Sequence, residues 1–196
     1  MAVGPWLRFG HTMMVARLMH ENGRIMTASS YATTWVFKLD ERTTHMSVVA
    51  TGPNQPPIPA TPDSLRYVLS GFSSSPAIPL DVVGMLDVCG YLMETSVVHY
   101  EFDALAVEKA LQALERMLRL AVAPSSRAGM AGLIKQLEQR VSLRPELSEF
   151  LTDMVRLRND WVGHPQNARA YPLVIAFGLL RHIHAAIAEV ASLQLD

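Results

Sequence analysis

The chain has 196 residues, of which 49% are hydrophobic and 18% are charged, and this composition excludes an intrinsically disordered protein. The length is suited to one domain with a modest N-terminal appendage and excludes two full domains. The formal net charge of −1 argues against a protein that coats nucleic acids through charge alone. The single cysteine, Cys89, excludes an internal disulfide and a cysteine-rich zinc site.

The single cysteine, the N-terminal residues and the apolar segments predict a soluble, cytoplasmic protein. Residues 1–8 contain no basic leader followed by an apolar core, so we expect no secretory signal. The most apolar run, residues 173–180, is shorter than the roughly 20 residues that a membrane span needs. We therefore expect no membrane association.

The first sixty residues predict a small α/β or β-hairpin segment. Residues 33–39 and 44–50 are rich in β-branched and aromatic residues and flank a turn-like stretch, so we expect them to pair as a hairpin. Asn22-Gly23 is suited to the turn of a second hairpin, although a helix over residues 12–19 competes with it. Residues 52–62 contain five prolines and predict an extended linker. Residues 1–60 are therefore predicted to be an appendage, and 61–196 a helical domain.

From residue 61 onward the apolar residues recur at helical spacing. A short helix is expected to begin at Thr61 and close at Gly71, and Asp81 is expected to cap the next helix. The longer predicted helices cover residues 82–94, 102–122, 128–141, 145–158 and 172–193. Short connections rich in Pro, Ser and Gly join the last four, which predicts a mainly α fold built on an antiparallel bundle.

The helix predicted to begin at Pro145 ends in an unusual polar segment. Its apolar stripe of Leu147, Leu151 and Met154 continues to Arg158, whereas Arg156 lies on nearly the opposite face. An arginine on a core-facing stripe needs a partner or a wet cleft, since burying an unpaired charge costs several kcal/mol. Gly163-His164-Pro165 then turns the chain, so that His164 can fold back toward Arg158.

Arg158-Asn159, followed after four residues by His164, resembles the signature of the HEPN superfamily. Residues 110–118 resemble the Ala-Leu-Glu-rich helix that precedes this motif in many HEPN proteins, and the likeness covers roughly residues 80–193. The resemblance implies a HEPN-like helical bundle. It also implies a homodimer through the C-terminal helices, in which two motifs line one composite cleft.

Many HEPN proteins are metal-independent endoribonucleases of toxin–antitoxin and anti-phage systems, and the motif has suitable residue types. A histidine such as His164 can exchange a proton with the ribose 2′-hydroxyl or the leaving 5′-oxygen near neutral pH. Arg158 offers a permanently charged, forked donor set to phosphate oxygens, and Asn159 would support it. The implied products are a 2′,3′-cyclic phosphate and a 5′-hydroxyl, with no cofactor and no metal.

Two further side chains are candidates for substrate binding, Trp161 and Arg156. Trp161 would stack an RNA base, or else anchor the turn in the core. Glu115 is a lesser candidate, because its helical position faces the bundle only marginally. Gln166 occupies a position where HEPN toxins silenced by a nucleotidyltransferase often carry tyrosine, which weighs against that kind of antitoxin. RNA, a second copy of the chain, and an antitoxin or regulatory protein are the expected partners.

A simpler interpretation of the motif stays open beside the enzyme. Arg158 would pair with Asp153 or Asp160, Asn159 would cap the helix, and His164 would be an ordinary turn residue. The competing function is a non-catalytic HEPN-like module that binds nucleotides, RNA or a protein partner. Retention of the complete motif favours the enzyme, and the low net charge favours the module.

Overall fold

The computed structural model of the protein describes residues 58–72, 75–122, 124–162 and 173–193, together with six short strands before residue 50. Side chains are described over residues 59–160, except 73–74 and 123, and over residues 173–193.

The described part is mostly helical, as the sequence predicts. Its six helices are α1 (Pro62–Leu69), α2 (Leu80–Thr95), α3 (Phe102–Val122), α4 (Met130–Glu138), α5 (Pro145–Val162) and α6 (Leu173–Ser192). The long helix α3 has the bounds that its apolar spacing predicts, and α1 begins at the predicted cap, where Thr61 and Ser64 form a reciprocal capping box.

The largest differences from the predicted helix bounds are in α2, α4 and α5. Helix α2 begins directly after Pro79, and Asp81 lies in its first turn, where it accepts a hydrogen bond from Arg116 Nε at 2.7 Å instead of capping the helix. Helix α4 is shorter than predicted at both ends. Helix α5 continues to Val162, because the polar residues 158–160 are tolerated within a helix when the apolar residues before them are packed. The motif residues 158 and 159 therefore lie inside a helix.

Short antiparallel strands precede the helices. They are β1 (Arg8–Phe9), β2 (Thr12–Met13), β3 (Val15–Arg17), β4 (Ile25–Ser30), β5 (Thr33–Lys38), β6 (Ser47–Val48) and β7 (Ile58–Pro59). They pair as β1 with β2, as a three-stranded sheet in the order β3-β4-β5, and as β6 with β7.

The pairing corrects the expected hairpin. Strand β5 pairs with β4, with Ser30 opposite Thr33, whereas the strand within residues 44–50 pairs with β7. Only two residues separate β4 from β5, so this hairpin closes a shorter loop than the predicted one. Strands β2 and β3 stand where the competing helix was considered. Asn22-Gly23 and residues 52–57 lie outside the described residues, and the domain boundary near residue 60 stays a prediction.

Helix α3 is the centre of the bundle and packs against α2, α4, α5 and α6. Three alanines, Ala106, Ala110 and Ala113, are fully buried on it, and such small side chains let neighbouring helices approach closely. Helix α6 packs one face on α3 and leaves Val174 and Ile175 exposed, and the homodimer through the C-terminal helices stays a prediction.

Helix α6 is long enough and apolar enough to cross a membrane, with a mean hydropathy of 1.6. Among the described residues it is the one helix that meets this criterion. The expectation of no apolar segment of that length is corrected, because a second apolar stretch follows Arg181. In this structure the face of α6 toward α3 is buried, and the core helix of a soluble protein meets the same criterion.

Candidate functional site

Helix α5 presents the motif arginine on the same side as its core residues. Leu147, Leu151 and Met154 are buried, and Arg158 follows one turn later with its side chain 33% exposed. Its neighbour Asn159 is exposed. The helical stripe therefore brings a guanidinium to the edge of the core, where it remains accessible to solvent.

The partner of Arg158 comes from α3. Arg158 Nη2 lies 2.8 Å from Glu115 Oε2, and the residue Glu115 is only 9% exposed. The pairing with Asp153 that the sequence allowed is wrong, because Asp153 binds Arg156 at 2.9 Å. An ion pair between α5 and the central helix thus fixes the end of α5.

The same carboxylate binds a second arginine. Glu115 Oε1 accepts a hydrogen bond from Arg119 Nη2 at 2.8 Å, one helical turn further along α3. Two guanidinium charges and one carboxylate charge leave this cluster with a net charge of +1. Its groups are largely withdrawn from water, which strengthens their interactions relative to those of exposed pairs.

Arg119 also holds the segment that leads into α4. Its Nε donates to the carbonyl oxygen of Ser126 at 3.1 Å, and its Nη2 donates to that of Ala128 at 3.2 Å. The backbone N–H of Ala128 donates to Ser126 Oγ at 3.2 Å, which closes a local turn. The residues just before α4 are therefore attached to α3 through one side chain.

A cavity of about 260 Å³ lies between the start of α4 and the C-terminal half of α5. Its lining residues are Gly129, Met130, Ala131, Gly132, Val155, Arg158 and Asn159. Gly129, the N-cap of α4, makes no side-chain capping bond. The first amides of a helix carry partial positive charge, so the α4 side of the cavity and Arg158 both favour an anionic group.

The sequence candidates fall into three groups. Arg158 and Asn159 meet at the cavity. Arg156 is 74% exposed, binds Asp153 and is not among the lining residues. The side chain of Trp161 and the whole of His164 lie outside the described residues.

Sequence reasoning underestimated Glu115 and missed Arg119. The sequence does contain a signal for Glu115, because this residue lies on a helical stripe whose other members are buried: Leu111, Leu118 and Val122. An acid on such a stripe demands a cation, and Arg119 follows at the four-residue spacing that favours a helical ion pair. No sequence signal identifies the lining from Gly129 to Gly132, because it depends on the packing of α4 beside α5.

Other reactive side chains have structural surroundings. Burial raises the pKa of the Cys89 thiol to about 12, which is unsuited to a nucleophile. The ring of His184 lies 5.1 Å from Phe72 and that of His182 lies 6.1 Å from Phe150, so the two histidines face different neighbours. Within the described ranges, no three His, Cys, Asp or Glu side chains are placed to hold a metal ion.

Comparison of the chain with family models, with curated proteins and with solved structures found no match. The HEPN resemblance therefore rests on the motif residues themselves, and the geometry around Arg158 is the independent observation to set beside it.

Proposed function

We propose that the protein is a metal-independent endoribonuclease of the HEPN type that cleaves RNA in a composite cleft of a homodimer. The observation that carries this proposal is the setting of Arg158. Its guanidinium is held by a buried carboxylate, yet it lines a cavity together with Asn159 and the amino end of α4.

The reaction is an intramolecular phosphoryl transfer. The ribose 2′-oxygen attacks the adjacent phosphorus, the bond from phosphorus to the 5′-oxygen breaks, and a 2′,3′-cyclic phosphate and a 5′-hydroxyl are released. One proton leaves the 2′-hydroxyl and one is added to the 5′-oxygen. His164 is assigned these transfers, with one copy acting as base and the copy of the second protomer as acid, because imidazole titrates near neutral pH.

Arg158 is assigned to the phosphate. A guanidinium carries five N–H donors, so an ion pair through Nη2 does not use up its capacity. Negative charge increases on the phosphate oxygens as the 2′-oxygen attacks, and a preorganised cation stabilises that state more than the ground state. Arg119 keeps the cluster cationic, since Glu115 alone would neutralise Arg158. Asn159 supplies an amide to the same cavity.

A second candidate function is a non-catalytic HEPN-like module that binds a nucleotide, RNA or a protein partner. The ion pair between Arg158 and Glu115 favours it, because the pair links α5 to α3 whether or not any chemistry takes place. Binding of a whole nucleotide is the least favoured form of this module, because the cavity of about 260 Å³ is smaller than the roughly 300–1,000 Å³ of most ligand pockets and fits a single phosphate group better.

The test is cleavage of a single-stranded RNA of mixed sequence in EDTA, with binding of the same RNA measured in parallel. We expect the wild type to leave 2′,3′-cyclic phosphate ends and to spare an all-deoxy analogue. His164→Ala and Arg158→Gln should each lower the rate by roughly a hundredfold or more. Arg116→Gln is the matched control, because Arg116 lies on α3 but binds Asp81 of α2.

Three outcomes separate the candidates. Cleavage that depends on both motif residues and not on Arg116 supports the ribonuclease. Binding without cleavage, weakened by Arg158→Gln, supports the module. A wild type that neither binds nor cleaves RNA excludes the ribonuclease and the RNA-binding form of the module.

A further inference from the structure

Glu115 and Arg119 occupy one face of α3, one turn apart, and their contacts extend in two directions. Toward α5, the carboxylate of Glu115 holds Arg158 at 2.8 Å. Toward α4, Arg119 holds the carbonyl oxygens of Ser126 and Ala128. A contact of 2.8 Å between Arg119 and Glu115 joins the two directions.

These two directions lead to opposite walls of the cavity. Arg158 belongs to the α5 wall, and Gly129, which directly follows Ala128, begins the α4 wall. Each wall is thus fastened to the same pair of side chains on the central helix. The distance between the guanidinium of Arg158 and the first amides of α4 is set by α3, to which neither wall belongs.

We propose that Glu115 and Arg119 are positioning residues that hold Arg158 and the amino end of α4 in one fixed arrangement around an RNA phosphate. The catalytic part rests on the proposed function, whereas the positioning can be measured without it. Both residues act through Arg158 and through the backbone that precedes Gly129, and neither lines the cavity.

The planar guanidinium of Arg119 joins the two walls. Its Nη2 binds the carboxylate and the Ala128 carbonyl at the same time, and its Nε binds the Ser126 carbonyl. A lysine at this position keeps the charge but offers a single ammonium group that cannot reproduce the planar fork. Arg119→Lys should therefore loosen both walls while preserving the charge of the cluster, and Glu115→Gln should release the α5 wall chiefly.

Side-chain NMR of ¹⁵N-labelled full-length protein tests the positioning directly. The Nε–Hε signal of Arg158 is assigned by its loss in Arg158→Lys, and its motion is measured by the heteronuclear NOE. We expect a rigid signal in the wild type and a mobile one in Glu115→Gln and Arg119→Lys. Amide signals of residues 126–132 should also shift in Arg119→Lys. The control Arg116→Lys, which alters the same helix on its α2 side, should change neither set.

Kinetics on single-stranded RNA test the catalytic consequence. A misplaced phosphate-binding group should lower kcat by roughly tenfold to a hundredfold in Arg119→Lys, with KM changing less than about threefold, because misplacement mainly affects the transition state. A variant that is partly unfolded would also show a lower apparent kcat, because fewer of its molecules are active. Circular dichroism and thermal unfolding identify such a variant. Arg119→Lys, which retains the charge, is the variant chosen to remain folded.

The outcomes distinguish this inference from the function on which it rests. An Arg158 signal that stays rigid in both Glu115→Gln and Arg119→Lys overturns the positioning role. A mobile Arg158 with unchanged kcat overturns its catalytic consequence. A wild type that cleaves no RNA overturns the proposed ribonuclease, while the NMR result still decides whether these two residues position Arg158.

Discussion

The shared carboxylate predicts an unequal response of folding stability to three substitutions. Glu115→Gln should cost more free energy of unfolding than either Arg119→Gln or Arg158→Gln. Glutamine keeps the shape of glutamate but has one carbonyl oxygen and one NH₂ group. It can accept from one guanidinium only, and it presents a donor to the other. After removal of a single arginine, by contrast, Glu115 retains its second partner.

The magnitudes follow from burial and from the ion pairs that each variant removes. Exposed ion pairs contribute about 0.2–1 kcal/mol, whereas hydrogen bonds to charged groups out of water contribute about 1.5–3 kcal/mol. The side chains here are 26–33% exposed for the arginines and 11% for Glu115, so each pair belongs between these limits, near 1 kcal/mol. Glu115→Gln removes both pairs and should cost about 2–3 kcal/mol. Arg158→Gln should cost about 1 kcal/mol, and Arg119→Gln about 2 kcal/mol, because it also removes two hydrogen bonds to backbone carbonyl groups that contribute about 0.5 kcal/mol each.

Urea unfolding followed by circular dichroism measures these differences, with thermal unfolding as a check. A chain of this length should shift its Tm by roughly 2–4 °C for each kcal/mol. The double variant Glu115→Gln/Arg158→Gln should cost less than the sum of the two single changes, since both remove the same ion pair. Equal costs for the three single variants, or strict additivity in the double variant, would refute a carboxylate shared between two arginines.

Three substitutions and one thiol-labelling experiment test the rest of the fold. Gly84→Ala on α2 meets no atom within 4 Å and should stabilise the protein by about 0.5–1 kcal/mol in urea unfolding, whereas Gly132→Ala meets an alanine side chain at 3.1 Å and should stabilise it less. The Cys89 thiol, with its pKa raised to about 12, should react with a thiol reagent at pH 8 only as fast as the protein unfolds. The hydrogen bond from Arg144 lowers the pKa of Glu189 below its ordinary value of 4.5. The pair therefore stabilises the fold fully at pH values above 4.5, and this stabilisation is lost as the pH falls through the lower pKa of the folded protein. The free energy of unfolding of Glu189→Gln should therefore decrease less between pH 6 and pH 3 than that of the wild type.

Helix positions followed from the sequence wherever one apolar stripe could be traced. Helix α3 matches at both ends because its stripe is continuous and faces a neighbour over its whole length. The end of α5 was not predicted, because the polar residues 158–160 interrupt the apolar stripe before Trp161 and Val162. The pairing of β4 with β5 also escaped prediction, because strand partners depend on which segments meet in space and periodicity reports only one segment at a time.

The site was predictable to the same degree and for the same reason. The spacing from Leu147 to Arg158 placed the arginine on the core side of its own helix, and the structure agrees. The identity of its partner was not available, because Asp153 and Asp160 are near in sequence while Glu115 is near only after α3 and α5 pack together. A local pattern gives the direction of a side chain, and tertiary packing decides what it meets.

The stoichiometry of the cluster leaves a positive charge that a single structural ion pair would not leave. One carboxylate and one arginine would neutralise each other and would satisfy the need to pair a charge near the core. Here Arg119 adds a second cation to the carboxylate already paired with Arg158, and the excess positive charge borders a cavity whose other wall is the amino end of a helix. The two negative charges of a dianionic phosphate would exceed the net charge of +1 on the cluster, whereas the single negative charge of an RNA phosphodiester balances it. The charge balance therefore favours a phosphodiester within a chain over a terminal phosphate, which is the substrate that the proposed endonuclease would need.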